Sequence, residues 1–244
     1  MKSMIFAAGL GTRLKPLTDT MPKALVHVGD RPLLDITIDR LLAAGAKEIV
    51  VNVHHFGSQI IDHIASRSYP IAVRVSDERN ELLDTGGGLH KAAALFSDTD
   101  EPILIHNVDI LHNADLTHFY ESSREEAVSL LVSSRTTSRY LLFDDDNCLM
   151  GWTNVATGEV RSPHAGLDIS RLHRYAFSGI HTFSPRLFEY MKSWPAKFPI
   201  MDFYLSICDK VKVKAFPQSD LRLLDVGKQS TLSDAEHFVE TIGG

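Results

Sequence analysis

Two cations follow a pair of glycines near the amino terminus: Arg13 and, ten residues on, Lys23. From Ala7 to Leu25 the chain reads AAGLGTRLKPLTDTMPKAL, continuing the apolar run MIFAA. Glycines let backbone N–H groups come close to phosphate oxygens. Arg13 offers a planar fork to such oxygens and Lys23 a mobile point charge. Pro16 and Pro22 stiffen the span between them. Ala8, Gly9, Gly11 and Thr12 thus form a candidate cradle for a phosphate, with Arg13 and Lys23 as its candidate cations. Two common phosphate loops are excluded. The dinucleotide fingerprint needs a third glycine where Leu14 stands, and the P-loop needs Gly-Lys-Ser/Thr.

Other residues fit chemistry at a phosphate. The apolar segment EPILIHNVD (101–109) ends in Asn107, Val108 and Asp109. In open α/β sheets ligands bind beyond the carboxyl ends of the strands. A carboxylate there suits Mg²⁺, a hard ion that keeps several waters and bridges phosphates. Such an ion commonly takes one or two carboxylates, and Asp225 closes a second apolar strand, LRLLDV (221–226). Thr85, Gly86 and Gly87, in LDTGGG (83–88), precede a helical pattern. Glycines there would let a flat base or a ribose lie against the backbone, with helix N-terminal N–H groups as donors. His106, Asp109 and His112 are spaced by three, but in an extended segment 106 and 109 face opposite ways, which speaks against a transition-metal site. Asp144, Asp145 and Asp146 read as a solvated hairpin turn. No Gly-x-Ser-x-Gly or Cys/His pairing supports a covalent nucleophile.

The string Gly9, Gly11, Thr12, Arg13, Thr18, Pro22, Lys23 resembles the signature of the sugar-1-phosphate nucleotidylyltransferases. The resemblance extends over most of the chain and is weaker between 134 and 174. It implies an enzyme that moves a nucleotidyl group from a nucleoside triphosphate to a sugar 1-phosphate, releasing pyrophosphate. It also implies that Arg13 holds the triphosphate and aids pyrophosphate departure, and that Lys23 sits near the α-phosphate. Asp225, in an Asp-Val-Gly that matches the family's pattern, then becomes the second Mg²⁺ ligand beside Asp109. Where relatives carry Gly-Asp, this chain has Val108-Asp109. The Thr-Gly-Gly-Gly form is most similar to the short N-acetylmuramate-1-phosphate uridylyltransferases. A guanylyltransferase for mannose or heptose 1-phosphate is the alternative within the family, and a non-catalytic nucleotide-sugar-binding regulator is the alternative outside catalysis. For the sugar, Ser178 and Gly179 match the family's sugar-contacting segment. The Glu-Lys pair whose lysine binds the sugar phosphate in many relatives is absent from 134–174. Trp152 and Asn154, in GWTNVATGE (151–159), occupy that place and could pack on a sugar face and bond its hydroxyls; a surface turn with a packed tryptophan is the competing reading. Homodimers are common in the family.

The elements that must position these residues follow from periodicity. Strands are expected at 2–8, 47–53, 71–76 and 101–109, alternating with helices at 31–45, 56–65 and 88–96. That alternation implies parallel pairing with crossover helices. Further strands are expected at 127–133, 175–183, 212–216 and 221–226, with a hairpin at 140–152. A helix opens at Ser184-Pro185, and a last one carries a capping box of Ser233 and Glu236. The resemblance and the pattern together give an α/β fold: a Rossmann-like three-layer αβα sandwich with a mixed, mainly parallel central sheet, of GT-A type. One domain, 1–244, is expected, with 1–110 as the nucleotide half and 111–244 as the sugar-phosphate half. The net charge of -6 argues against nucleic acid as a partner. Two cysteines, Cys148 and Cys208, are too few for a disulfide framework and suit a reducing cytoplasm. No segment reads as a signal peptide or a membrane span.

Overall fold

The computed structural model of the chain describes residues 1–242. Its first half alternates strand and helix: β1 (Lys2–Phe6), the hairpin β2 (His27–Val28) and β3 (Arg31–Pro32), α1 (Leu33–Ala43), β4 (Glu48–Val53), α2 (Gly57–Ser66), β5 (Ala72–Asp77), α3 (Asp84–Lys91) and β6 (Ile103–Asn107). Strands β6, β1, β4 and β5 lie side by side in that order, all parallel. The second half supplies β7 (Ile110–His112), α4 (Leu116–Ser122), β8 (Val128–Ser133), β9 (Arg139–Phe143), β10 (Leu149–Asn154), β11 (Glu159–Arg161), β12 (His173–Phe183), α5 (Phe188–Met191), α6 (Ile200–Ile207), β13 (Val213–Pro217), β14 (Leu223–Asp225) and α7 (Leu232–Ile242). Strand β12 runs antiparallel to β6 and joins the later strands to the same sheet. The sheet is therefore mixed, with a parallel centre and an antiparallel extension.

Pleat alternation builds two cores. Ile5, Ile49, Val51 and Leu104 pack with residues of α1, α2, α4 and α7. Met4, Phe6, Val50, Ile103 and Ile105 pack with residues of α3, α5 and α6 on the other face. Strands covered on both sides read as near-continuous apolar runs, which is why 2–8 and 101–109 stand out in the sequence.

Three boundaries differ from expectation. The helix expected at 88–96 runs instead over Asp84–Lys91, followed by a 3₁₀ turn, so the three glycines lie inside it. The helix α7 starts at Leu232, after a 3₁₀ turn over Gln229–Thr231; Ser233 is inside it and cannot be its cap. Ser184 precedes a 3₁₀ turn and makes no side-chain cap bond. Among the described residues no helix is long and apolar enough to cross a membrane.

Candidate active site

A cavity of about 400 Å³ opens at the carboxyl ends of β1, β4 and β6, lined by Phe6, Asn52 and Asn107 from those strands. The loop after β1 forms one wall, with Ala8, Gly9, Gly11, Thr12, Arg13 and Lys23 on the cavity. Leu14, which breaks the dinucleotide pattern, is fully buried and anchors this loop to the core. Gly11 has φ +63°, and a methyl group there would lie 2.8 Å from Thr18 Cγ2. Thr18, itself buried, donates its hydroxyl to the Gly11 carbonyl at 2.8 Å. Gly9 is exposed and has open space where a side chain would be, so its backbone is accessible to a ligand.

The four charged residues picked out in the sequence converge, although they come from distant parts of the chain. Lys23 is only 8% exposed, and its ammonium donates to Asp109 Oδ2. The same ammonium lies 4.0 Å from Asp225 Oδ1. Arg13 reaches Asp225 Oδ2 at 3.6 Å from the outer side. A short antiparallel ribbon makes this possible: β14 pairs with β7 so that Asp225 lies opposite Ile110, one residue after Asp109. The Val226 N–H donates to the Asp109 carbonyl at 2.9 Å and closes the ribbon. The arrangement is two carboxylates on one buried ammonium, with an exposed guanidinium at the rim. The carboxylates supply hard oxygen donors of the kind Mg²⁺ takes while keeping waters.

Gly227 also lines the cavity and was not singled out from the sequence. A methyl group there would lie 2.6 Å from Asp225 Oδ1 and 2.7 Å from an Arg13 guanidinium nitrogen. Its place after Asp-Val was the available signal. Val108, which stands where relatives have glycine, causes no backbone conflict. The non-glycine residues with positive φ among those described are Phe56, Asp84 and Asn147.

Opposite the loop, Leu82, Asp84 and Thr85 form the other wall. Asp84 has φ 59°, a strained value for a residue with a side chain. Gly86 and Gly87 do not line the cavity. Their N–H groups both donate to the Phe198 carbonyl, at 2.9 and 3.2 Å, so these donors are already committed. A methyl group on Gly86 would meet the Phe198 ring at 2.3 Å, and one on Gly87 the Ala196 carbonyl at 2.0 Å. These two glycines serve close packing of α3 against the 196–198 segment.

His106 and His112 form a buried pair, with Nε2 atoms 3.0 Å apart. Ala114 N–H donates to His112 Nδ1, and His106 Nδ1 bonds the Asn107 carbonyl. One proton between the facing nitrogens satisfies both rings in the neutral state. Burial holds His106 down at about 4 and His112 well below the usual range. Among the described residues, no three His, Cys, Asp or Glu side chains are grouped to hold a metal ion.

The family model for nucleotidyl transferases matches residues 2–140, more than half of the chain. The chain belongs to the nucleotidyl transferase family. N-acetylmuramate alpha-1-phosphate uridylyltransferase of Caulobacter vibrioides is 44% identical over 110 residues, 44% of this chain and 45% of that protein. The Neisseria meningitidis protein of the same name is 40% identical over 124 residues, 50% of this chain and 53% of that one. Mannose-1-phosphate guanyltransferase of Yarrowia lipolytica is 32% identical over 145 residues, 57% of this chain and 40% of that one. These matches span about half the length of the curated relatives or less. Among solved structures, HddC from Yersinia pseudotuberculosis, complexed with GMP-PN, superimposes with a TM-score of 0.75 over 97% of this chain and 98% of that one at 23% identity. A UDP-glucose pyrophosphorylase from Acinetobacter baumanii does so with a TM-score of 0.75 over 98% and 94% at 17% identity. At such identities the likeness shows the fold.

In this nucleotidyl transferase the residues expected at the sugar divide into two pairs. Ser178 and Gly179 do not line the cavity themselves, but Gly179, with φ +85°, packs against Asn107, which does; a methyl group there would meet Asn107 Nδ2 at 2.7 Å. The Ser178 hydroxyl accepts the Ile180 N–H at 3.2 Å. Trp152 and Asn154 do not line the cavity. They sit on β10 near the sheet edge, where Trp152 packs on the core under the Arg161 guanidinium, 5.7 Å from its ring centroid. Asn154 Oδ1 accepts the Ala156 N–H at 3.0 Å within its own turn. Both side chains are thus engaged locally, as the packed-tryptophan reading requires.

Proposed function

We propose that the protein is a Mg²⁺-dependent uridylyltransferase that joins UTP to N-acetylmuramate 1-phosphate, giving the UDP-sugar and pyrophosphate. One observation carries the reading: Arg13, Lys23 and Asp109 line a cavity at the carboxyl ends of parallel strands, and Asp225, just behind its lining, joins Arg13 to Lys23 in one charged row. The choice of base and sugar is supported by the two uridylyltransferase relatives at 44% and 40% identity.

The acceptor brings its own nucleophile. A phosphate monoester has a second pKa of about 6, so it is mostly ionised at neutral pH and needs no general base. An acceptor phosphate oxygen forms a bond to the α-phosphorus, while the α–β bridging bond breaks and its electrons leave with pyrophosphate. The protein must align two anions in line and offset their repulsion. Lys23, fixed at the cavity floor by Asp109, is placed for the α-phosphate as charge builds on it. Arg13, with a side chain 59% exposed, is free to follow the leaving pyrophosphate. Asp109 and Asp225 would hold Mg²⁺, which supplies further neutralisation at the triphosphate.

The test is pyrophosphate release from UTP, GTP, CTP and dTTP, each paired with N-acetylmuramate, mannose and heptose 1-phosphates. The UTP and N-acetylmuramate 1-phosphate pair should be fastest. A second reading, transfer of a guanylyl group to mannose 1-phosphate, is supported by the 32% identical guanyltransferase and predicts GTP with mannose 1-phosphate instead. Release from no pair would leave the non-catalytic regulator.

A further inference from the structure

We infer that Asn52 and Glu78 act as a positioning clamp that ties the phosphate loop to the opposite, base-side wall and so sets nucleotide affinity. The inference rests on reading the cavity as a nucleoside triphosphate site. Asn52 stands near the end of β4, on the cavity, and is 2% exposed. Its Oδ1 accepts the Ala7 N–H at 2.8 Å, where β1 gives way to the loop. Its Nδ2 donates to Glu78 Oε1 at 2.8 Å. The amide orientation is forced, because a backbone N–H can only donate and a carboxylate only accept.

Glu78 is fully buried and directly follows β5, opening the segment that leads to Leu82, Asp84 and Thr85 on the far wall. Its N–H donates to the Val53 carbonyl at 2.8 Å, and its own carbonyl lies 2.7 Å from His54 Nδ1. The other end of that segment returns over the same pair. A methyl group at Gly88 would lie 2.7 Å from Glu78 Oε1 and 2.8 Å from Asn52 Nδ2. Further along, the Thr85 hydroxyl accepts the Ile200 N–H at 2.9 Å and pins the wall to α6.

The Oε2 atom of Glu78 has no hydrogen-bond partner among the described residues. Burying a carboxylate is unfavourable even with the Asn52 amide beside it, and an apolar pair would serve folding better. What the polar pair provides is a directional link between two walls that a bound nucleotide must touch together. One two-bond chain, Ala7 to Asn52 to Glu78, carries that link.

The test exchanges donor and acceptor. UTP binding in Mg²⁺ buffer is measured by calorimetry for the wild type, Asn52→Asp, Glu78→Gln and the double variant, with thermal melting and KM for each substrate. Asn52→Asp sets two carboxylates against each other and should weaken UTP binding on the order of tenfold or more. Glu78→Gln keeps an acceptor and should stay within about threefold of the wild type. In the double variant the introduced amide at position 78 can donate to the introduced carboxylate at position 52. That carboxylate still accepts the Ala7 N–H, and UTP affinity should return. The KM for the sugar 1-phosphate should stay constant throughout. Gly88→Ala, which drives a methyl group into the pair, should reproduce the loss of UTP affinity. Unchanged UTP affinity in Asn52→Asp overturns the clamp, and so does a double variant that regains its melting temperature but not its affinity. A wild-type protein that binds neither UTP nor GTP overturns the underlying reading of the cavity, and the clamp with it.

Discussion

Lys23 is the residue on which most of the proposed chemistry depends. It is nearly buried, bonded to one carboxylate and within 4.0 Å of another, and it lines the cavity at the strand ends together with Asp109. Lys23→Ala should lower kcat by roughly 10²–10³, the usual cost of losing one preorganised charge at a transition state. Folding should suffer by only about 1–3 kcal/mol, because Asp109 and Asp225 keep contact with solvent. Turnover near the wild-type value, measured as pyrophosphate release, would remove Lys23 from the mechanism. Asp109→Asn should abolish Mg²⁺-dependent turnover; a Mg²⁺ titration midpoint equal to the wild type would reject Asp109 as a ligand. Gly227→Ala tests the rim. With Arg13 and Asp225 both under 3 Å from the added methyl group, their approach must open, and the KM for the nucleotide should rise while melting changes little. An unaltered KM would mean that the Arg13 and Asp225 contact does not matter for binding.

Elements explain what was legible in the sequence and what was not. The phosphate loop could be read because its residues are contiguous and because β1 before it is covered on both faces. Asp109 could be read because it ends such a strand. Asp225 meets it only through the β7 and β14 ribbon, a pairing of segments over 100 residues apart that periodicity does not reveal. Gly86, Gly87 and Gly88 mislead a sequence reader for a physical reason. Glycine is a poor helix former, so three in a row suggest a loop. Here the neighbours of α3 approach so closely that no side chain fits, and packing overrides propensity. The consequence is measurable. Gly87→Ala places a methyl group 2.0 Å from the Ala196 carbonyl and should destabilise the fold by about 1–3 kcal/mol despite alanine's better helix propensity. A gain in melting temperature would show that α3 can move away from the 196–198 segment. Asn52 and Glu78 were missed for the same kind of reason as Asp225: their bond is set by the pairing of β4 with β5, not by any motif.

At the scale of the whole molecule, buried neutral histidines tie stability to pH. His181 on β12 is packed among Phe6, Phe177 and Tyr204, and neither ring nitrogen has a hydrogen-bond partner among the described residues. Its strand neighbours present Ile105 and Leu130 opposite it. Burial lowers it to about 3, from an ordinary value of 6.5, and His106 to about 4. His112, beside His106 and Arg40, is lowered as well. In each case the folded state keeps the ring neutral while the unfolded chain takes up a proton below about 6.5. Stability is therefore fully present above that pH and falls as pH drops towards 4, by about 1.4 kcal/mol per pH unit for each ring. His181→Phe removes one of these protons at a position that does not itself line the cavity. Urea unfolding between pH 7 and 4.5 should show a slope against pH that is shallower by about one proton, with stability at pH 7 within about 1 kcal/mol of the wild type. A slope equal to the wild type would mean that His181 is protonated in the folded protein, which its aromatic surroundings do not allow without a rearrangement of the core beneath β12.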